Sequence, residues 1–297
     1  MKKYVAYGIG AARVDTGIKV QDTELSQMNV EKGMMTLVDA DRQAELLSHL
    51  EGHLVKASHA SGGSAGNSMI AAAQFGGPTF MSCKVANDSD GDIYIADMEA
   101  AGVDHCLTGE REEGTTGKCL VLISPDAERS MNTNLSISET LSEEQLVPGA
   151  ITQSEYLYIE GYLVTSPTGR AAAIKAKSIA EEAGVKTSIS FSDPGMVEFF
   201  REGMEEMVGD RVNLAFCNKA EALGWGQTDN LEAAIEKLKL VADTFVITLG
   251  SEGAVTFDGE ALVEVPPHKV HAVDSNGAGD MFAGAFLYAI TSGRDYS

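Results

Sequence analysis

Residues 273–286 read VDSNGAGDMFAGAF, a glycine-rich turn followed at once by an apolar segment of helical character. A turn of this kind directs several backbone N–H groups at one point, and the start of the next helix adds positive dipole character there. Asp280 is expected in the first turn of that helix, beside any anion bound at the turn. An anion cradle next to a carboxylate suits phosphoryl transfer to an alcohol, because one holds the moving phosphate and the other takes the hydroxyl proton. A helix start stabilised by Asp, with no further role, is the structural alternative.

A second glycine-rich segment, SGGSAGN at residues 61–67, also leads into a predicted helix, Ala65–Phe75. The paired glycines Gly62 and Gly63 would let a ligand approach the backbone closely, and Asn67 can both donate to and accept from a hydroxyl. The structural alternative is an ordinary turn between a strand and a helix.

Gly8 and Gly10 lie at the end of the first predicted strand and nearly match a dinucleotide-binding fingerprint. The third glycine position holds Arg13, and residues 14–20 look extended rather than helical. The segment therefore lacks the helix start on which a Rossmann pyrophosphate site depends. A nicotinamide-dependent oxidoreductase remains the rival interpretation of these glycines.

Composition and charge exclude several classes of protein. The chain has 297 residues, 44% of them hydrophobic, and a formal net charge of −22, which argues against a nucleic-acid partner. No apolar stretch approaches the roughly 20 residues that cross a bilayer. We therefore expect the protein to lie in the cytoplasm and to have no membrane partner. The four cysteines show no C-x-x-C spacing and are expected to be reduced thiols. With so acidic a chain, bound phosphate would require Mg²⁺, backbone amides and a few basic residues to reverse the local field.

Short β-rich runs alternate with helical segments along most of the chain. The predicted strands are Tyr4–Gly10, Thr79–Val85, Tyr156–Ile159, Lys186–Phe191, Val212–Cys217 and Phe245–Leu249. The predicted helices include Ala65–Phe75, Asp90–Ala101 and Thr168–Ala183. This alternation predicts an α/β fold in which a mostly parallel sheet carries helices on both faces.

Two regions, 13–38 and 105–133, lack a long helix and are rich in polar, glycine and β-branched residues. They predict short antiparallel strands and loops that form a β-rich lid over the edge of the sheet, with ordinary surface loops as the alternative. No low-complexity linker and no internal repeat divides the chain. We therefore expect one domain over residues 1–297 with a protruding lid.

Four motifs occur in the order and spacing of the ribokinase-like (PfkB) carbohydrate kinase family, and the likeness runs over essentially the whole chain. The motifs are Gly62-Gly63 with Asn67, Asn218-Lys219-Ala220-Glu221, Thr248–Gly253 and Asp274–Asp280. In addition, residues 128–135, ERSMNTNL, resemble the lid-return segment of adenosine-kinase-type members. The resemblance implies a ribokinase-like three-layer fold and an ATP- and Mg²⁺-dependent kinase.

The resemblance also implies roles for individual residues. Asp280 would be the catalytic base that deprotonates a hydroxymethyl group, and the amides of Gly277, Ala278 and Gly279 would form the anion hole. The residues expected around the hydroxyls of the acceptor are Asp15, Gly62, Gly63 and Asn67.

On the nucleotide side, the resemblance implies a second set of contacts. These residues are Asn218, Glu221, Thr248, Gly250, Gly253 and, from the lid, Arg129. Glu221 would hold Mg²⁺ through water, although a helix cap formed by Asn218 and Glu221 explains the same pair. A hairpin turn is the alternative explanation for Gly250 and Gly253.

Two departures from the family pattern fall near the end of the chain. Ser275 stands where the family usually has Thr, which keeps the hydroxyl. Asp274 would be one ligand of a monovalent cation such as K⁺, but the family continues beyond the position of Ser297 with a helical region that completes this site. We expect either a chain that is shortened or unordered at its end, or an incomplete enzyme.

Together these features predict transfer of the γ-phosphate of ATP to a primary hydroxyl of a sugar or nucleoside. The lid-return segment slightly favours an adenosine-like nucleoside, and a simple sugar such as ribose or fructose is the alternative. An NAD-dependent oxidoreductase and an inactive binding protein that kept the fold are more distant alternatives. The protein is expected to be a monomer or a homodimer formed through the lid.

Overall fold

The computed structural model describes residues 2–50, 58–126, 128–270 and 277–296. Its strands, in chain order, are β1 (Tyr4–Ile9), β2 (Arg13–Lys19), β3 (Met35–Leu37), β4 (Ser58–Gly62), β5 (Thr79–Ser82), β6 (Val103–His105), β7 (Gly117–Ile123), β8 (Arg129–Asn134), β9 (Ser154–Glu160), β10 (Lys186–Ser190), β11 (Val212–Asn218), β12 (Ala242–Thr248), β13 (Ala254–Phe257) and β14 (Leu262–Val265).

The α-helices alternate with these strands over most of the chain. They are α1 (Asp22–Gln27), α2 (Ala40–His49), α3 (Ser64–Gln74), α4 (Ser89–Ala100), α5 (Pro148–Thr152), α6 (Pro167–Glu182), α7 (Pro194–Phe199), α8 (Arg201–Val208), α9 (Lys219–Gly226), α10 (Leu231–Val241) and α11 (Ala278–Thr291). Among the described residues, no helix combines the length and the apolar character needed to cross a membrane.

Nine strands form the large sheet, in the order β14-β13-β12-β11-β10-β9-β1-β5-β6. All neighbours are parallel except β12-β13 and β13-β14, which pair antiparallel at one edge. The six predicted strands lie in this sheet, and the predicted α/β class with a mostly parallel sheet is confirmed.

The central strand β9 shows how the sheet separates two hydrophobic cores. Leu157 and Ile159 belong to one buried cluster, whereas Tyr156 and Tyr158 belong to another. Because side chains alternate along a strand, the two clusters lie on opposite faces of the sheet. Helices α6 and α8 contribute to the first cluster, and α3, α4 and α11 to the second. Full burial of each such side chain stabilises the fold by about 1.5–3 kcal/mol.

Helices α3 and α11 approach each other unusually closely. A Cβ added at Gly284 of α11 would lie 2.3 Å from the carbonyl oxygen of Ser68 in α3. Glycine at this position therefore allows backbone-to-backbone contact between the two helices. The contact brings the first turn of α3 next to the first turn of α11.

The remaining five strands form the small sheet, in the order β3-β8-β7-β2-β4. Leu120 and Leu122 of β7 pack with α1 and α2 on one face, and Val121 and Ile123 lie on the other. The predicted lid ranges contribute β2, β3, β7 and β8, but β4 lies outside both of them. The predicted antiparallel strands occur in part: β2-β4 and β7-β8 pair antiparallel, whereas β2-β7 and β3-β8 are parallel.

The segment after β1 is not a dinucleotide-binding turn. Residues 13–19 form the strand β2, not a helix. A Cβ added at Gly10 would lie 2.3 Å from Oε2 of Glu160, and one added at Gly8 would lie 2.7 Å from Cγ of Met69. These two glycines therefore accommodate neighbouring side chains in the core.

Candidate functional site

Asp280 lies in the first turn of α11, as predicted, three residues after the N-cap Gly277, which has φ of 69°. Its Oδ1 accepts a hydrogen bond from the hydroxyl of Ser64 at 2.6 Å, and its Oδ2 accepts one from the amide of Asn67 at 2.8 Å. Both donors belong to the start of α3. The close contact of α3 with α11 therefore sets the orientation of the carboxylate.

Burial raises the pKa of Asp280 above its usual value, while the hydrogen bonds from Ser64 and Asn67 and the positive charge of Arg13 oppose the shift. A carboxylate with a raised pKa is a stronger base than one in water. The hydrogen bonds keep it oriented without a direct ion pair. The group is therefore suited to accept a proton from an alcohol.

Two cavities meet at Gly277. The small-sheet cavity, with a volume of about 400 Å³, lies between the small sheet and the helices α3 and α11. The strand-end cavity, with a volume of about 300 Å³, lies where β10, β11 and β12 end and contains Asp280. Gly277 lines both, and Asn67 lines the first while it binds Asp280. The carboxylate thus stands at the boundary between the two spaces.

The structure distributes the predicted site residues between these cavities. The small-sheet cavity contains Asp15, Asn67, Arg129 and Gly277. The strand-end cavity contains Asn218, Glu221, Thr248, Gly277, Ala278, Gly279 and Asp280. Arg129, expected on the nucleotide side, therefore lines the other cavity. Gly250 and Gly253 lie in the turn between β12 and β13 and line neither, and Asp274 lies outside the described residues.

Gly62 and Gly63 each require glycine, for different structural reasons. A Cβ on Gly62 would lie 2.4 Å from Oδ1 of Asp15, so the missing side chain leaves room for that carboxylate. Gly63 has φ of 109°, and its Cβ would lie 2.2 Å from the carbonyl oxygen of Ala11. Only glycine fits both the conformation and the space at this helix start.

Asn218 and Glu221 form a reciprocal cap at the start of α9. The side chain of Asn218 accepts from the Glu221 N–H at 2.9 Å, and the Glu221 carboxylate accepts from the Asn218 N–H at 2.9 Å and its side-chain amide at 2.7 Å. The helix cap that is the alternative explanation for this pair is therefore present in the molecule. Burial raises the pKa of Glu221 to about 7. A cation in the strand-end cavity would offset the cost of keeping this carboxylate charged.

Sequence reasoning missed Arg13 as a site residue. Its Nε lies 2.9 Å from Oδ1 of Asp15, and only 16% of its side chain is exposed. Among the described residues, Arg13 is the only basic residue that lines the strand-end cavity, which also contains the acids Glu221 and Asp280. The sequence did contain a signal for Arg13. It lies two residues before Asp15 on an extended segment, and residues two apart on a strand share one face, which places Arg13 beside a predicted site residue.

Glu160 and Ser64 were also missed. Glu160 is fully buried at the end of β9, where it accepts from the N–H of Ala65 at 2.8 Å and more weakly from that of Ala11 at 3.4 Å. It therefore joins the start of α3 to the segment that leads into β2. Burial raises the pKa of Glu160 to about 7, although the two N–H groups and Arg13 act in the opposite direction. These contacts span many residues, so no local motif reveals them.

Glu160→Gln should flatten the pH dependence of stability. The native carboxyl, with a pKa of about 7 against 4.5 in the unfolded chain, binds a proton that the unfolded chain releases as the pH rises above 4.5. Its stabilising contribution is therefore complete below 4.5 and is lost as the pH rises through 7. The change amounts to about 3 kcal/mol. Urea unfolding of both proteins at several pH values should show the variant gaining on the wild type by this amount.

The exposed Glu155 on the same strand offers a matched control, Glu155→Gln. This variant reports what the substitution itself does. A stability difference between wild type and Glu160→Gln that stays constant with pH would contradict the prediction.

The chain is similar to a known protein family and to several solved structures. The model of the pfkB family carbohydrate kinases matches residues 33–297. The crystal structure of adenosine kinase from Sinorhizobium meliloti superimposes with a TM-score of 0.91 and 34% identity, over 99% of this chain and 89% of that one. A probable sugar kinase from Rhizobium etli gives a TM-score of 0.92 and 32% identity over the same shares.

Among curated proteins, the ribokinase of Mus musculus is 28% identical over 235 residues, which are 76% of this chain and 70% of that protein. Adenosine kinases and sugar kinases thus occur together among the relatives. The resemblance inferred from the four sequence motifs is confirmed. With the family model matching most of its length, the chain belongs to the pfkB family of carbohydrate kinases and is an ATP-dependent sugar or nucleoside kinase.

Proposed function

We propose that the protein transfers the γ-phosphate of ATP to the primary hydroxyl of a nucleoside, with an adenosine-like nucleoside preferred and Asp280 as the base. The observation that carries this proposal is the mixed character of the small-sheet cavity beside Asp280. One part of its wall is apolar and another part is polar. A nucleoside has the same division, because its base is flat and largely apolar on its faces whereas its ribose carries hydroxyls.

The apolar wall consists of Ile70, Val121, Ile123 and Met281. A purine base would cover these side chains and remove them from water, which is favourable by about 25 cal/mol per Å². A free sugar, with hydroxyls around its ring, would leave this wall without a matching surface. The name of the Sinorhizobium meliloti relative, an adenosine kinase, agrees with this assignment.

The polar part of the cavity would hold the ribose. Asp15 and Asn67 line it, and Asp280 lies directly beyond Asn67. A primary hydroxyl placed there would donate its proton to the carboxylate of Asp280 as its oxygen attacks the phosphorus. The amides of Gly277, Ala278 and Gly279 would face the charge that develops on the transferred group.

The nucleotide would occupy the strand-end cavity and its continuation. A third cavity of about 550 Å³ lies between β13, β14 and the outer face of α11, and its lining is mainly apolar. Phe282 lines both this cavity and the strand-end cavity. In our proposal the adenine of ATP lies in the third cavity, and the phosphates lie near Arg13 and the start of α11.

Kinases of this family use ATP with Mg²⁺, and the donors of this chain fit such an ion. Within the described part of the chain, no three His, Cys, Asp or Glu residues cluster as a ready-made metal cage. Mg²⁺ commonly keeps several waters and binds one or two carboxylates together with substrate phosphates. Glu221, through water, and the oxygens of Asn218 and Thr248 are the groups that would hold it. When bound, the ion neutralises charge on the β- and γ-phosphates.

We also propose that the small sheet acts as a lid. Its inner face carries Asp15 and, of the apolar wall, Val121 and Ile123. Closure of this sheet over the acceptor would exclude water from Asp280 and limit hydrolysis of ATP.

A coupled assay of ADP release with adenosine, ribose and fructose as acceptors tests the proposal. We expect the highest kcat/KM with adenosine and ADP release that depends on the acceptor. Val121→Thr, which exchanges a methyl for a hydroxyl at nearly constant volume, should raise the KM for adenosine and leave that for ribose unchanged. A higher kcat/KM for ribose or fructose than for adenosine would identify the protein as a simple sugar kinase.

A further inference from the structure

Two cysteines that the kinase site does not use lie side by side at the edge of the large sheet. Cys83 follows β5 and Cys106 follows β6, and the two strands pair with Met81 opposite His105. Both cysteines line a cleft of about 330 Å³. The residues of this cleft line neither of the cavities that meet at Gly277.

The thiol of Cys106 is held against Cys83. Its sulfur accepts from the backbone N–H of Cys83 at 3.4 Å and donates to the carbonyl oxygen of the same residue at 3.2 Å. The sulfur of Cys106 therefore lies directly against the backbone of Cys83 in the folded chain.

The backbone separation suits a covalent link. Adjacent strands are about 4.8 Å apart and rise about 3.3 Å per residue, and the two cysteines are offset by one position in the register. Their Cα atoms are therefore separated by about 6 Å, within the range of about 4.4–6.8 Å found for disulfides. Both residues lie just beyond the regular strands, so their side chains need not point to opposite faces.

The two thiols differ in exposure and acidity. Cys106 is partly exposed in the cleft, whereas Cys83 is buried. Interaction with the Cys83 side chain lowers the pKa of Cys106 to about 7, and interaction with Cys106, together with burial, raises the pKa of Cys83. A partly exposed thiolate next to a second thiol is the arrangement of cysteines that respond to oxidants.

The charged groups around the cleft are of both signs. Lys84 pairs with Glu112 at 2.8 Å, and Arg111 pairs with Asp92 outside the cleft. Glu110 and Glu144 also line the cleft. The cleft thus offers a small neutral oxidant a polar entrance with no large excess of either charge.

We propose that Cys106 and Cys83 form a dithiol site that a hydroperoxide oxidises to an intramolecular disulfide. The thiolate of Cys106 attacks one peroxide oxygen, the O–O bond breaks, and the other oxygen leaves as an alcohol or water after taking a proton. The sulfenic acid left on Cys106 is then attacked by the sulfur of Cys83. The S–O bond breaks, water leaves, and two electrons have passed from the two thiols to the peroxide.

The test treats the folded, full-length chain with hydrogen peroxide and counts free thiols after unfolding. Of the four thiols, two should be lost together, and peptide mapping should find Cys83 joined to Cys106. Dithiothreitol should restore all four. Cys119→Ser and Cys217→Ser are matched controls that should lose the same two thiols, because burial raises the pKa of both of these cysteines.

Two single variants separate the steps. In Cys83→Ser, Cys106 should stop at the sulfenic acid, which dimedone traps, and in Cys106→Ser no disulfide should form. Circular dichroism establishes that each variant is folded, and mapping of the wild type gives an answer that does not require either variant. A disulfide that involves Cys119 or Cys217, a link between two chains, or folded wild type that keeps all four thiols would overturn the proposal. The result does not depend on which acceptor the kinase uses.

Discussion

Asp280→Asn is expected to lower kcat for phosphoryl transfer by about 10²- to 10⁴-fold, the contribution of general-base catalysis. Asparagine keeps the shape of the side chain and an oxygen that can accept from Ser64, but it cannot take the hydroxyl proton. The measurement is steady-state ADP release with saturating ATP, Mg²⁺ and acceptor. Near-normal turnover in this variant would show that another group serves as the base.

Binding provides the control for that experiment. The variant removes a negative charge from the strand-end cavity, so ATP should raise its melting temperature at least as much as that of the wild type. In the wild type, kcat/KM should rise with pH as Asp280 ionises, with an apparent pKa above the usual range of Asp because burial raises it. A loss of ATP binding in Asp280→Asn would instead indicate a disturbed fold of the glycine turn.

Arg13→Gln is expected to lower kcat/KM for ATP by about 10²- to 10³-fold, the cost of removing one charge-stabilising group from a transfer site. Arg13 is the only basic residue among the described lining of a cavity that also contains Glu221 and Asp280. Its planar guanidinium can bind two oxygens of one phosphoryl group. Arg13→Lys should recover part of the loss, since it retains the charge without the fork.

Asp15→Asn separates this role from a structural one. It breaks the ion pair of Arg13 with Asp15 and leaves the positive charge in place, so it should raise the KM of the acceptor more than it lowers kcat. Thermal unfolding of each variant reports the cost of leaving one partner unpaired. Arg13→Gln and Asp15→Asn with the same kinetic profile would mean that Arg13 serves only to orient Asp15.

The sequence predicted what is encoded locally. The segment around Asp280 combines a glycine turn and an apolar helix in consecutive residues, and the structure places both where they were expected. The strand β4, with the sequence SHASG, was not predicted, because its small and polar residues have little intrinsic preference for a strand. Pairing with β2 determines its conformation.

Two of the missed residues, Ser64 and Glu160, have a common cause. Ser64 reaches Asp280 across 216 positions of the chain, and Glu160 reaches Ala65 across 95. No spacing rule connects residues so far apart. Arg13 was considered only as a misfit to a dinucleotide fingerprint, although the period of two shared with Asp15 placed both on one strand face.

The close contact of α3 with α11 divides the site into a part that one can redesign and a part that one cannot. Ser64 and Asn67 hydrogen-bond Asp280 only because α3 and α11 approach closely at Gly284, where even a methyl group would collide with the backbone. Val121 and Ile123 belong to the small sheet and take no part in the contact between α3 and α11. Directed evolution of acceptor preference should therefore accumulate its substitutions on β7 and its neighbours, and libraries that vary the two helix starts should yield mostly inactive protein.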